Sequence, residues 1–201
     1  LYKIKWIDNL NEIKKNPSIF LANEFFDSLP VKHFTRKNNE WFEKYITKKE
    51  NKYFFKNKKK KLVQIEKILG EKIKKNQNFI EVSPKSIEKI SKISSIVKKN
   101  NGGILIIDYG YLKKKMSNTI QCVKKHKKVD FLNNIYDSDI THLLNFNFYL
   151  KKFKKNLDKV KITTQGEFLT NMGIFERAEL VSKNLSFNKK SDLYYRIQRL
   201  V

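Results

Sequence analysis

Residues 18–31 read Ser18-Ile19-Phe20-Leu21-Ala22-Asn23-Glu24-Phe25-Phe26-Asp27-Ser28-Leu29-Pro30-Val31. The apolar run from Ile19 to Ala22 carries no charge and stops at Asn23 and Glu24, the pattern of a buried strand of a parallel sheet that ends in two polar side chains. Phe25 to Leu29 predict a short helical turn, closed at Pro30 because proline cannot continue a helix. In an open α/β sheet the ligand crevice lies outside the carboxyl ends of the strands. Asn23 and Glu24 are therefore expected at its rim.

Downstream, His33, Phe34, Trp41, Phe42, Tyr45, Ile46, Tyr53, Phe54 and Phe55 fall in three short segments separated by polar, Asn-containing stretches. This spacing predicts an antiparallel aromatic β-meander over residues 31–56, inserted in the α/β domain. Lys56 to Lys61 reads as a charged, exposed connection. Leu62, Ile65, Ile68 and Leu69 recur at helical spacing before Gly70, a helix cap. Phe79 to Val82 is a brief extended piece, Ser83-Pro84 a helix start, and Ile87, Ile90, Ile93, Ile96 and Val97 an apolar stripe that ends at Asn101-Gly102-Gly103. The branched run Ile104 to Ile107 predicts a second inner strand, with Asp108 and Tyr109 at its carboxyl end. Strand, helix and strand in this order read as a parallel crossover. Upstream, Tyr2, Ile4 and Trp6 alternate as in a strand. Later, Thr119 to Val123 and Val160 to Thr163 read as strands, Leu143 to Phe153 as a strand passing into a helix, and Gln165 to Met172, Ile174 to Leu180 and Asp192 to Val201 as helices.

A chain of 201 residues suits one domain, residues 1–201, with 40% hydrophobic and 13% aromatic residues for a packed core. The formal charge of +24 suggests nucleic acid, but Arg occurs only at Arg36, Arg177, Arg196 and Arg199. Recognition of phosphates and bases favours the planar Arg fork, so the Lys excess reads as a solvated surface with no specific nucleic-acid partner. Cys122 is the single cysteine, which excludes an intrachain disulfide and fits a reducing compartment. No apolar run is long enough to span a membrane. The opening at Leu1 in place of Met is expected of a partial sequence.

The stretch Ala22 to Val31 also resembles the signature of the MidA-like family of S-adenosylmethionine-dependent protein-arginine methyltransferases, which assist assembly of respiratory complex I. Four further blocks, in the family's order, are similar: Gly103-Ile-Leu-Ile-Ile-Asp-Tyr-Gly110; Thr119 to His126 with Val129 and Asp130; Asp139 to His142; and Thr164 to Leu169 with Gly173, Ile174, Arg177 and Ala178. The resemblance implies a Rossmann-like class I methyltransferase fold with a mostly parallel sheet. S-adenosyl-L-methionine is the implied cofactor, and a protein, such as a complex I subunit, the implied substrate. It implies the bacterial cytoplasm or, in a eukaryote, the mitochondrial matrix. None of the six glycines forms a G-x-G turn after a strand, so the family's cofactor loop is expected to lie outside this chain.

The candidate catalytic pair is Glu24 with Asn23. A guanidinium is always charged and delocalised, so orienting one of its nitrogens for methylation calls for a carboxylate grip. On chemistry alone a capping role for both residues is equally consistent; the resemblance favours the functional role. Asp108, Tyr109 and Gln165 are candidate substrate-side residues. Trp6 and Asp8, with Asn23, are candidates for the cofactor side, Trp6 having a core position as its alternative. The three histidines and one cysteine lack metal-ligand spacing. Two rival functions remain: a catalytically silent assembly factor of the same fold, and a nucleic-acid module that uses Lys58–Lys61, Lys113–Lys115 and the rings of Tyr53, Phe54 and Phe55.

Overall fold

A computed structural model of the chain describes residues 3–50, 52–133 and 136–201. They fall into two packed units, Leu1–Val160 and Lys161–Val201. In chain order the first unit holds β1 (Ile19–Asn23), β2 (Lys32–Lys37), β3 (Glu40–Lys49), β4 (Lys52–Lys60), α1 (Leu62–Leu69), β5 (Phe79–Val82), α2 (Pro84–Asn100), β6 (Gly103–Ile107), β7 (Gly110–Tyr111), β8 (Gln121–Lys124), β9 (Lys127–Lys128), β10 (Asp139–Thr141), β11 (Leu144–Asn145) and α3 (Phe146–Phe153). The second holds α4 (Gln165–Asn171), α5 (Ile174–Ser182) and α6 (Phe187–Gln198).

Parallel pairing joins β1 to β6, from Ile19 opposite Gly103 to Asn23 opposite Ile107, and β7 to β11. The first rung, Gly103 N–H to the Ser18 carbonyl at 3.0 Å, needs glycine beside it: a Cβ on Gly102 would collide with that carbonyl. The expected meander is an antiparallel sheet ordered β4-β3-β2-β5. Helix α2 starts as the sequence predicts: the Ser83 side chain accepts from the Ser86 N–H, Pro84 opens the first turn, and Asn101 ends the helix at φ 54°. The core lies between this sheet and α1, α2 and α3. Phe26, Phe34, Ile65 and Ile90 are almost wholly enclosed there, and Ala22, Ile104 and Ile106 pack against them.

Several expectations are corrected. Strand β1 is not buried on both faces: Phe20 and Ala22 turn inward, while Ile19 and Leu21 are 86% and 69% exposed. Among the described residues, β6 is the strand paired with β1. Phe79 to Val82 does not form a crossover with β6. It pairs antiparallel with β2, so the strand parallel to β6 is β1, far earlier in the chain. The Lys56 to Lys60 run is not a connection but half of β4, an edge strand whose outward lysines stay solvated. Residues 3–9 form no strand, because alternation without a pairing partner cannot hold one; Tyr2 of that expected strand lies outside the described residues. Val160 to Thr163 is irregular, and α6 begins at Phe187, ahead of Asp192.

Candidate functional site

The carboxyl ends of β1 and β6 lie side by side, and each delivers acids to the same place. After Asn23 the ladder continues one more step, with the Glu24 N–H donating to the Ile107 carbonyl at 2.9 Å. Glu24 then takes φ 44°, a left-handed conformation that costs a non-glycine residue about 1 kcal/mol. This kink turns the chain out of the strand and into the Phe26–Leu29 turn, closed by the Leu29 N–H on the Phe26 carbonyl.

Asp108, the first residue after β6, fastens that turn. Its Oδ2 accepts from the backbone N–H groups of Phe26 (3.0 Å) and Asp27 (3.3 Å), and its Oδ1 from that of Tyr109 (2.9 Å). Burial, and then the nearby Asp27 charge, push its carboxyl up to about 6 against those bonds. Asp27 is 5% exposed, and its Oδ1 has no hydrogen-bond partner among the described residues. Burial first and the Glu24 charge second raise its carboxyl. The Tyr109 hydroxyl is also raised, chiefly by the Glu24 charge, then by burial and by a hydrogen bond to Glu24. Glu24, Asp27, Asp108 and Tyr109 thus form one acidic lip.

His142 holds the lip from behind. Its N–H and Nδ1 lie 3.0 and 2.7 Å from the Asp27 carbonyl. A carbonyl only accepts, so Nδ1 carries the proton. Burial lowers the ring's pKa and favours the neutral form.

The structure therefore brings Asn23, Glu24, Asp108 and Tyr109 together, as the sequence predicts. It adds Asp27, which the sequence reading does not single out. Gln165 stands in the first turn of α4, within the second unit, where its Nε2 donates to the Leu200 carbonyl at 3.2 Å. Trp6 is 91% exposed, not a core residue, and Asp8 lies in the irregular stretch before the Leu10–Glu12 turn, its N–H bonded to Glu12 Oε1 at 3.2 Å. Two cavities are lined by Glu81, Ser83, Tyr111 and His142 and by Arg36, Asn38 and Lys75; none of Trp6, Asp8, Asn23 or Glu24 lines either. Asp108 and Tyr109 also lie outside both cavities, so the residues that end β1 and β6 stand apart from them. What they supply is an anionic edge suited to a planar cation.

Comparison with known proteins gives this edge a context. Residues 1–163 match a family model described as "Putative S-adenosyl-L-methionine-dependent methyltransferase". The chain is 30% identical over 187 residues to the mitochondrial protein arginine methyltransferase NDUFAF7 of Danio rerio, covering 90% of this chain and 43% of that protein. It is 28% identical over 178 residues to the Caenorhabditis elegans homolog, covering 87% and 42%. The chain thus spans less than half the length of these relatives. A COG1565 superfamily member from Burkholderia thailandensis, crystallised with S-adenosyl-homocysteine, superposes with a TM-score of 0.73 at 17% identity, over 98% of this chain and 52% of that one. That likeness shows the fold: α/β, of the class I methyltransferase type. With the match running through most of its length, the chain belongs to this S-adenosyl-L-methionine-dependent methyltransferase family.

Proposed function

We propose that the intact protein transfers a methyl group from S-adenosyl-L-methionine to an arginine of a protein, and that this chain supplies the side that grips the guanidinium. The observation that carries the reading is the acidic lip: three carboxylates from two adjacent parallel strands, one of them with a buried, unsatisfied oxygen. The relatives' names, protein arginine methyltransferases, support a guanidinium as the cation. In this reading S-adenosyl-L-methionine supplies the methyl group, and the described residues carry the rest. Glu24 pairs with the guanidinium and orients it, aided by the Asn23 amide and the Tyr109 hydroxyl. Asp27, a carboxyl with an open oxygen and a raised affinity for protons, receives the proton that the methylated nitrogen sheds. Asp108 and His142 are positioning residues that fix Asp27 through its backbone.

The resemblance of the sequence blocks extends the proposal to a respiratory complex I subunit as the protein substrate. It extends it also to the bacterial cytoplasm or mitochondrial matrix as the location. Buried, unbridged Cys122 accords with a reducing compartment, and no helix among the described residues is long and apolar enough to cross a membrane. The test is Glu24→Gln in the intact protein, assayed with S-adenosyl-L-methionine and an arginine peptide. Methyl transfer should fall about 100-fold or more with cofactor affinity unchanged. Unaltered turnover would remove Glu24 from the site.

A further inference from the structure

We propose that the outer half of the β3–β4 hairpin is a docking arm for a protein partner that offers an apolar groove rimmed with carboxylates. The arm is independent of the acidic lip and of the methyl-transfer reading. Its geometry comes from two registers that end at different places. Pairing of β2 with β3 stops at His33 opposite Lys44, whereas β3 and β4 remain paired out to Lys49 opposite Lys52. Beyond Lys44 the hairpin is therefore, among the described residues, a two-stranded ribbon with no third strand paired to it, touched from the side by Phe131 on Phe55 and Tyr136 on Tyr53. Such ribbons are marginal in water by themselves.

The ribbon carries apolar side chains on both faces. Directly opposed residues share a face, which sets Ile46 with Phe55 on one side and Phe54, with Tyr45 near it, on the other. These four are 38% to 51% exposed. Its charge is one-sided as well. Ion pairs on the hairpin join Lys32 and Lys60 to Glu43 and Lys59 to Glu40; among the described residues no carboxylate lies within ion-pair distance of Lys44, Lys48, Lys49, Lys52, Lys56 or Lys58.

Three observations select the occupant. The rings are poor platforms for stacking bases. Lys44 lies over Phe55 at 4.9 Å, and Phe131 stacks on the same ring at 6.2 Å; Lys48 covers Tyr53, and Lys32 covers Tyr45. The cations are lysines without arginine, unlike sites that read phosphate and base edges. A bilayer could receive both faces only by burying Lys48, Lys49, Glu50 and Lys52 at the tip, at high cost. A groove in an acidic protein meets both apolar faces at once and neutralises the rim.

The test titrates the 201-residue chain with a labelled random Glu–Tyr copolymer, an oligo-dT strand and phosphatidylglycerol vesicles at about 0.15 M salt. Two variants accompany it, Ile46→Ser with Phe54→Ser, and Lys52→Glu with Lys56→Glu, each checked for an unchanged melting temperature. Copolymer binding should weaken about tenfold in the apolar pair and disappear in the charge-reversed pair. The proposal is overturned if the copolymer does not bind at this salt, or if the apolar pair binds it as the unmodified chain does. It is equally overturned if oligo-dT or vesicle binding proves to be the one that depends on Ile46 and Phe54.

Discussion

Replacing Asp27 by Asn should raise the stability of the chain at neutral pH and at the same time weaken its hold on a guanidinium. Among the described residues, Asp27 Oδ1 is buried without a hydrogen-bond partner, close to the Glu24 and Asp108 charges. An unsatisfied buried oxygen costs about 1–3 kcal/mol. Asn keeps the outline, removes the charge and offers an N–H to the neighbouring carboxylates. The expected gain is of that same size, or about 2–4 °C in melting temperature per kcal/mol for a unit of this length. The effect should depend on pH. Asp108 is raised from 3.8 to about 6, so the folded form holds protons more tightly than the unfolded one. That contribution is fully present below the ordinary carboxylate value and is lost as pH rises through about 6. Two pKa units correspond to about 3 kcal/mol, reduced to about 1–2 kcal/mol by solvent at this half-buried group. Asp27→Asn removes one cause of the Asp108 rise and should flatten the loss. Thermal melts followed by circular dichroism at pH about 4 and about 7, with methylguanidine titrations at the higher value, measure all three effects. A variant that melts below the unmodified chain at neutral pH, or by the same margin at both pH values, would refute the argument.

Two further substitutions probe the frame around the lip. Glu81 is 7% exposed and binds His33 Nε2 at 2.7 Å and the Thr119 N–H at 3.0 Å. Burial alone would raise its carboxyl, but these bonds hold it below the usual value. Glu81→Gln breaks a buried pair and should cost about 3 kcal/mol, read as a lower urea midpoint; stability from this carboxylate should fade as pH drops below the ordinary Glu value. Gly102→Ala forces a Cβ against the Ser18 carbonyl, at about 1–3 kcal/mol. The Gly103 amide, which donates to that carbonyl, should then exchange with solvent faster. An unchanged rate would show that the rung survives.

What the sequence shows of this molecule follows how local each signal is. The two parallel strands β1 and β6, the Ser83-Pro84 helix start, the Asn101 cap and the meander are each written in a few neighbouring residues, and all are present, though β1 is covered on one face only. The pairing of Phe79 to Val82 was misread because strand partners are chosen across the chain, and an antiparallel edge at β2 competes with a parallel place beside β6. The lysines of β4 look like a loop because an edge strand tolerates charge on its open side. At the site, Asn23, Glu24, Asp108 and Tyr109 were visible as residues that end strands. Asp27 was not, since its meaning comes from an oxygen left unpaired by packing, which no spacing encodes.

Phe26 sits between the two acids of the turn, with no surface reaching solvent. Its ring belongs to the interior while Glu24, two residues before it, and Asp27, the next residue, belong to the lip, so the same short loop serves as foundation and as fingertip. Reshaping this edge for a different guest by changing the loop would disturb the interior first. Redesign has better prospects at Tyr109, the member of the lip that is 60% exposed.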